Sequence, residues 1–188
     1  MTRIIAAGLA LALAGCAATA QTRGERALAR GDFAGAVAEF QTALAEHPDR
    51  IEPLQGIGVA QYRLDAFSPA AATFAQVLQR APQSGTALLY GALTALRLRQ
   101  DDVAADRLAR LRLIEPDPRF GAQVDRALAL LRTQPASDET RAFVASLEDS
   151  ARAAAELRAA RYDADRAWAL SAYPLRCYPT VRGGLICP

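Results

Sequence analysis

Three prolines set the frame of this chain. Pro82 lies midway between Pro48 and Pro116, so one interval occurs twice over. Their lead-ins are alike: "ALAEHPD", "VLQRAPQ" and "LRLIEPD". Upstream, at the same interval, stand Phe40, Phe74 and Leu108, and before them Ala36, Ala70 and Ala104. A period of this length marks an array of small units, none of which buries its apolar face alone. Composition says what the units are made of. Hydrophobic residues are 52% of the chain, and many are alanine, which favours helix over sheet. The 22% of charged residues suits a folded chain. Each recurring residue then has a mechanical role. Alanine lets two helices approach closely, and the large apolar residue fills the seam between units. Proline lacks an N–H and clashes with the preceding turn, so it ends a helix. The units run over about 17–50, 51–84 and 85–118.

These positions resemble the tetratricopeptide repeat, a helix–turn–helix whose period is about 34 residues. The resemblance covers residues 24–116, roughly half the chain. It implies an all-α fold, a short solenoid of about three helix–turn–helix repeats plus capping helices. The second unit fits best, with Ile57-Gly58 ahead of Tyr62 as the hydrophobic–small pair of its first helix. The same slots hold Arg23-Gly24 in the first unit and Gly91-Ala92 in the third. Gly31-Asp32 with Phe33 corresponds, within one residue, to Leu64-Asp65 with Phe67. The third turn reads "RQDD", with neither glycine nor aromatic. The resemblance also implies a partner-binding groove lined by the first helix of each unit. It would comprise Gln55, Val59, Tyr62 and Arg63, then Leu89, Leu93, Leu96 and Arg97. Arg63 and Arg97, one period apart, would form one rim of an apolar trough. The alternative is that capping helices fill the trough and the arginines are merely solvated.

The N-terminus carries an export signal. Arg3 precedes Ile4–Ala14, an apolar run of eleven residues. That is too short to span a bilayer and the right size for a signal-peptide core. Ala18-Thr19-Ala20 is a plausible A-x-A cleavage site, and cutting after Ala20 would release a soluble periplasmic protein. The competing reading is that Leu13-Ala14-Gly15-Cys16 resembles the bacterial lipobox. That resemblance implies a signal peptide over 1–15, diacylglycerol on the Cys16 sulfur, and a fatty acyl group such as palmitate on the new amino terminus. Ala17, rather than Asp, follows the cysteine. By analogy with Gram-negative sorting, this favours an outer-membrane anchor with the protein facing the periplasm.

Beyond the repeats, 119–173 reads as capping helices. "FGAQVDRALALLR" has Val124, Leu128 and Leu131 on one face. Ser137 is placed to cap a helix over about Asp138–Arg161, with the stripe Phe143, Leu147, Ala151, Ala154 and Leu157. A short helix over Ala164–Ala172 carries Trp168, and Pro174 stops it. The tail 174–188 is non-helical. With Cys16 acylated, Cys177 and Cys187 are the two remaining thiols of an exported chain and are expected to pair. They enclose nine residues, and a hairpin between them would turn at Val181-Arg182-Gly183. Loop closure alone gives such a bridge roughly 2–3 kcal/mol.

The function classes narrow by what is missing. A formal net charge of +2 with no dense basic run argues against nucleic acid. His47 is the only histidine and sits in an inter-repeat turn, where a solvated loop residue is expected. No G-x-S-x-G, H-E-x-x-H or P-loop occurs, so no catalytic residue, metal site or cofactor is expected. What is left is a non-enzymatic protein-binding scaffold. A lipobox followed at once by repeats resembles the lipoproteins of Flp/Tad pilus assembly and the pilotins that escort secretins. The expected function is assembly of such an envelope machine; the alternatives are an adaptor for peptidoglycan enzymes and an enzyme or small-ligand binder whose site lies in the C-terminal segment 138–188.

Overall fold

The computed structural model describes residues 19–133, 137–172, 178–179 and 185–186. It divides into two units, Met1–Ser146 and Leu147–Pro188.

The first unit is an array of helix pairs. These are α1 (Ala20–Ala29) with α2 (Phe33–Glu46), α3 (Glu52–Arg63) with α4 (Phe67–Arg80), and α5 (Gly85–Arg97) with α6 (Asp101–Ile114). Each helix packs on the next, and α3 also lies alongside α1 and α5. Local chemistry sets the starts. Thr19, Asp32 and Ser84 accept from the backbone N–H groups of Thr22, Gly35 and Ala87. Pro53 opens α3, where its missing N–H costs nothing. The prolines fall just after the ends of α2, α4 and α6, as the period requires. Arg80 Nη2 donates to the Pro48 carbonyl at 2.9 Å, and Arg110 Nη2 does the same for Pro82 at 2.9 Å. Successive units are thereby fastened through the turn that separates them.

The turn within each pair is one motif repeated. Gly31, Asp65 and Arg99, each one period from the next, have φ of 79°, 56° and 58°. Asp32, Ala66 and Gln100 then donate to the carbonyls of Ala27, Gln61 and Ala95 at 2.9, 2.9 and 2.8 Å. This closes each first helix in a Schellman-type end. The structure therefore sharpens the expected alignment. Asp65 is equivalent to Gly31, not to Asp32, and the "RQDD" turn does without glycine by placing Arg99 in the left-handed region.

The seams are filled as the period predicts. Ala36, Ala70 and Ala104 are fully buried, as are Phe40, Phe74 and Leu108. The Phe40 ring sits between two glycines. A Cβ on Gly24 would lie 2.7 Å from it, and one on Gly56 would lie 2.5 Å away. Phe74 presses on Gly58 in the same way, with a Cβ there at 2.7 Å. In the third unit the corresponding pair is Ala92 and Leu108, both fully buried. A methyl is added on one side where the ring is replaced by a smaller side chain on the other.

The array ends in α7 (Pro118–Thr133) and α8 (Asp138–Ala145). Asp117 Oδ1 caps α7 by accepting from Arg119 and Phe120 N–H at 2.9 and 3.0 Å. The stripe Val124, Leu128 and Leu131 is buried, joined by Phe120 and Ala127. α7 packs on α6, and α8 lies against both α7 and α5. Ser137 caps α8 as expected, accepting from Thr140 N–H at 3.1 Å. The helix expected over 138–161 does not run through. It stops at Ser146, whose hydroxyl donates to the Phe143 carbonyl at 2.6 Å. A serine that bonds its own preceding turn competes with helix continuation.

In the second unit, α9 (Leu147–Ala172) is one helix. It absorbs the separate short helix expected over 164–172. Residues 155–167 are exposed along its length. Two short strands follow, β1 (Tyr178–Pro179) and β2 (Leu185–Ile186). They pair antiparallel, with Tyr178 opposite Ile186 and Pro179 opposite Leu185. Cys16, Cys177 and Cys187 lie outside the described residues, as does the side chain of Trp168.

Candidate protein-binding groove

The eight residues expected to line a groove come from α3 and α5, which lie side by side. Their surroundings divide them. Val59, Leu89, Leu93 and Leu96 are buried. Gln55, Tyr62 and Arg63 are half-buried, and Arg97 is exposed. The apolar floor implied by the resemblance is therefore closed, and its polar and aromatic members remain at the surface. The cause lies in α5. Every residue from Ala87 to Leu96 except Tyr90 is buried, so this helix is apolar on all sides and enclosed. Part of the enclosure is α8. Arg141 grips Asp101 with two bonds, of 2.9 and 3.1 Å, and donates to the Leu96 carbonyl at 2.9 Å. Arg126 stacks over Phe143, 5.1 Å from the ring centre, and ties α8 to α7.

Tyr62 and Arg97 belong to one connected cluster of rings and charges at the surface. Tyr62 meets Phe67 and Tyr90 edge-to-face, at 5.8 and 5.6 Å between centroids. Tyr90 in turn stacks on Phe74 at 6.3 Å. Such pairs add to burial by orienting ring edges toward ring faces. Arg97 lies over Phe67 at 4.5 Å and pairs with Asp65 at 3.3 Å. Its guanidinium is held in place by a cation–π contact and an exposed ion pair, which together fix its direction more than they stabilise the fold. Gln55 Nε2 donates to Ser84 Oγ at 2.7 Å, so that one serine both caps α5 and fastens α3.

Sequence reasoning missed Asp65, Phe67 and Tyr90 as neighbours of the groove residues. A signal existed: four aromatic residues fall between positions 62 and 90. Their convergence depends on how one unit is rotated against the next, which spacing does not reveal.

Arg107 is a further departure from solvated surface. It donates to the Gly91 carbonyl at 2.6 Å. Burial lowers its guanidinium from the usual value, while neighbouring Asp106 works to raise it. The small residue at position 91 makes room, since a Cβ there would lie 3.1 Å from Arg107 Nη1.

Among the described residues, no group of three or more His, Cys, Asp or Glu side chains could hold a metal ion. No helix among them is long and apolar enough to cross a membrane. His47 is exposed in its turn.

Comparison with known proteins agrees with this architecture. Residues 27–84 match the model of the tetratricopeptide repeat family. No curated protein matches the chain. Among solved structures, the array is similar to the TPR2B domain of yeast Sti1 in its complex with an Hsp70 peptide. That match has 17% identity and a TM-score of 0.54, covering 61% of this chain and 94% of that one. It is also similar to the first TPR of Spaghetti (RPAP3) bound to the HSP90 peptide SRMEEVD. Here identity is 16% and the TM-score 0.52, covering 58% and 90% of the two chains. MamA protein gives 16% identity and a TM-score of 0.54, covering 69% and 72%. At these identities the likeness is one of fold. The helical array has the fold of a tetratricopeptide-repeat solenoid.

Proposed function

We propose that this chain is a lipid-anchored periplasmic scaffold that captures a protein partner during assembly of an envelope machine such as a Flp/Tad pilus or a secretin. The observation that carries the reading is the ordered repeat array starting four residues after the lipobox cysteine. The lipid on Cys16 fixes location, and the array supplies the binding surface. One acyl chain holds a protein only reversibly, whereas two or three on one residue make escape very slow. Structural neighbours of the array that hold Hsp70 and HSP90 peptides support a peptide segment as the element captured.

The capturing surface on this reading is Gln55, Tyr62, Arg63 and Arg97, set among the aromatic cluster. The buried Val59, Leu89, Leu93 and Leu96 support that surface from beneath. A partner carboxylate binds by exchanging with Asp65 on Arg97, a swap between two ion pairs that costs little at an exposed site. The tail is closed by a Cys177–Cys187 disulfide, and the pairing of Tyr178 with Ile186 is the register such a bridge requires.

The experiment is fractionation followed by affinity capture from detergent-solubilised envelope. Wild-type protein is expected in the outer-membrane fraction, and Cys16→Ser is expected to leave it. Capture of pilus or secretin components that weakens with Arg63→Glu and Arg97→Glu supports the reading. Capture of peptidoglycan enzymes instead, or release of wild-type protein to the soluble periplasm, overturns it.

A further inference from the structure

The first repeat differs from the others on the face that would meet a preceding unit. In α3 that face carries Pro53, Ile57 and Ala60, and in α5 it carries Ala87, Gly91 and Thr94, all buried. Ile57 and Ala60 join Ala27, Ala36 and Phe40 in one core cluster. One period before the buried Ile57 and Ala60 stand Arg23 and Arg26, and Arg30 stands one period before Leu64, which is exposed. Their spacing of 3 and 4 places all three on one side of α1. They line an open cleft of about 390 Å³ between α1 and α2, together with Asp32 and Glu39. Arg23 is taken by Glu39 at 2.8 Å, and Asp32 accepts from the Gly35 N–H. Arg26 and Arg30 are exposed, and among the described residues no ion pair joins either to a carboxylate.

An open solenoid end has to be polar, but it need not be built from three cations in a row. We propose that this end of the array rests on the bilayer, with Arg26 and Arg30 on the phosphates of anionic lipids. The inference rests on the reading of Cys16 as the anchor. α1 begins four residues beyond Cys16, at most ~3.5 Å of chain per residue, so this helix of ten residues is tethered closely enough to lie along the headgroup layer, with Arg26 in its last turn and Arg30 at its C-cap. Guanidinium groups suit this task because they meet phosphate oxygens with paired donors. A basic patch beside an acyl chain is a recognised second membrane signal. On this reading the arginine face sets how the array stands on the membrane. The aromatic cluster on α3–α5, one repeat further along, is left for the partner.

The test uses full-length Cys16→Ser protein, which carries no acyl chain, and sedimentation with vesicles. One set is phosphatidylcholine and the other contains one-third phosphatidylglycerol. The N-terminal segment, with Arg3 and the terminal amine, is common to the parent and the substituted protein, so the change in the ratio between them isolates Arg26 and Arg30. Two arginines at the surface contribute about thirtyfold to the preference for the anionic vesicles. Arg26→Gln with Arg30→Gln is expected to lower the preference by about that factor, with unchanged far-UV circular dichroism. Equal binding to both vesicles by the parent, or a preference that the double substitution leaves unchanged, overturns the proposal. So does loss of the preference in millimolar inorganic phosphate, which would mark a small-anion site. Displacement by oligoglutamate that leaves vesicles of either composition equally bound would assign the face to an acidic protein, with the same consequence. Acylation of Cys16 is read separately, from the mass of the mature wild-type chain, so failure of the anchor and failure of the arginine face are told apart.

Discussion

Replacing Gly58 by alanine pits two effects of opposite sign against each other. Alanine is favoured over glycine inside a helix by about 1 kcal/mol, so at an open helical site the change stabilises. At Gly58 the new Cβ would lie 2.7 Å from the Phe74 ring, well inside the roughly 3.5–4.0 Å of ordinary carbon contact. Phe74 is fully buried between helices, so the ring cannot swing into solvent to make room. Overpacking of this kind costs about 1–3 kcal/mol, and the net result is a loss of up to about 2 kcal/mol. For a chain of this size that lowers the melting midpoint by roughly 4–8 °C. The third repeat indicates the remedy, because it carries Ala92 with Leu108 where the second carries Gly58 with Phe74. Phe74→Leu alone should cost about 1 kcal/mol through lost contacts. In that background Gly58→Ala should turn neutral or stabilising, giving a coupling of about 1–3 kcal/mol. The assay is a four-variant cycle of urea melts followed by circular dichroism at the helical minimum. The glycine–ring account fails if Gly58→Ala has the same effect in both backgrounds, or if it stabilises the wild type.

Other sites make sharper, smaller tests. Arg99→Gly should stabilise by about 0.5–1 kcal/mol, since left-handed backbone costs a side-chain residue about 1–2 kcal/mol and glycine repays only part through unfolded-state entropy; an unchanged urea midpoint would remove strain from that turn. Arg141→Ala should free α8, raising amide exchange across 138–145 by about tenfold or more while α3 and α4 stay protected, because it removes the three bonds by which α8 holds partly buried Asp101 and the Leu96 carbonyl. If α8 exchanges no faster, the contact is not what holds it. Glu52 yields a pH test. Its carboxyl is held below the ordinary range, first by its own backbone N–H and then by Arg50, with desolvation working the other way. A lowered value in the folded state stabilises at neutral pH, and that contribution is lost as pH falls through the lowered value. The midpoint gap between wild type and Glu52→Gln should therefore be small at neutral pH, because the site is exposed, and should close on acidification; a gap that widens would reverse the assignment.

Much of the array is readable from periodicity, and for a plain reason. A solenoid unit contacts only its neighbours, so each position faces the same surroundings once per period and selects the same kind of residue. That is why the buried alanines, the seam residues Phe40, Phe74 and Leu108, and the proline-marked unit ends can be placed without coordinates. The serine cap at Ser137 is legible too, since it depends only on bonds to the next few residues. The sequence by itself also shows where the repeat breaks at Arg23 and Arg26, although not what those arginines face. Tertiary structure decided the rest. Whether Leu89, Leu93 and Leu96 line an open trough or are buried depends on how the neighbouring helices enclose α5, α8 among them through the bond from Arg141 to the Leu96 carbonyl, forty-five residues apart. The ring contacts of Tyr62, Phe67 and Tyr90 depend on the rotation of one repeat against the next. Local spacing records which face of a helix is apolar. Only packing determines what covers that face, because burial is a property of the space between elements and not of any one of them.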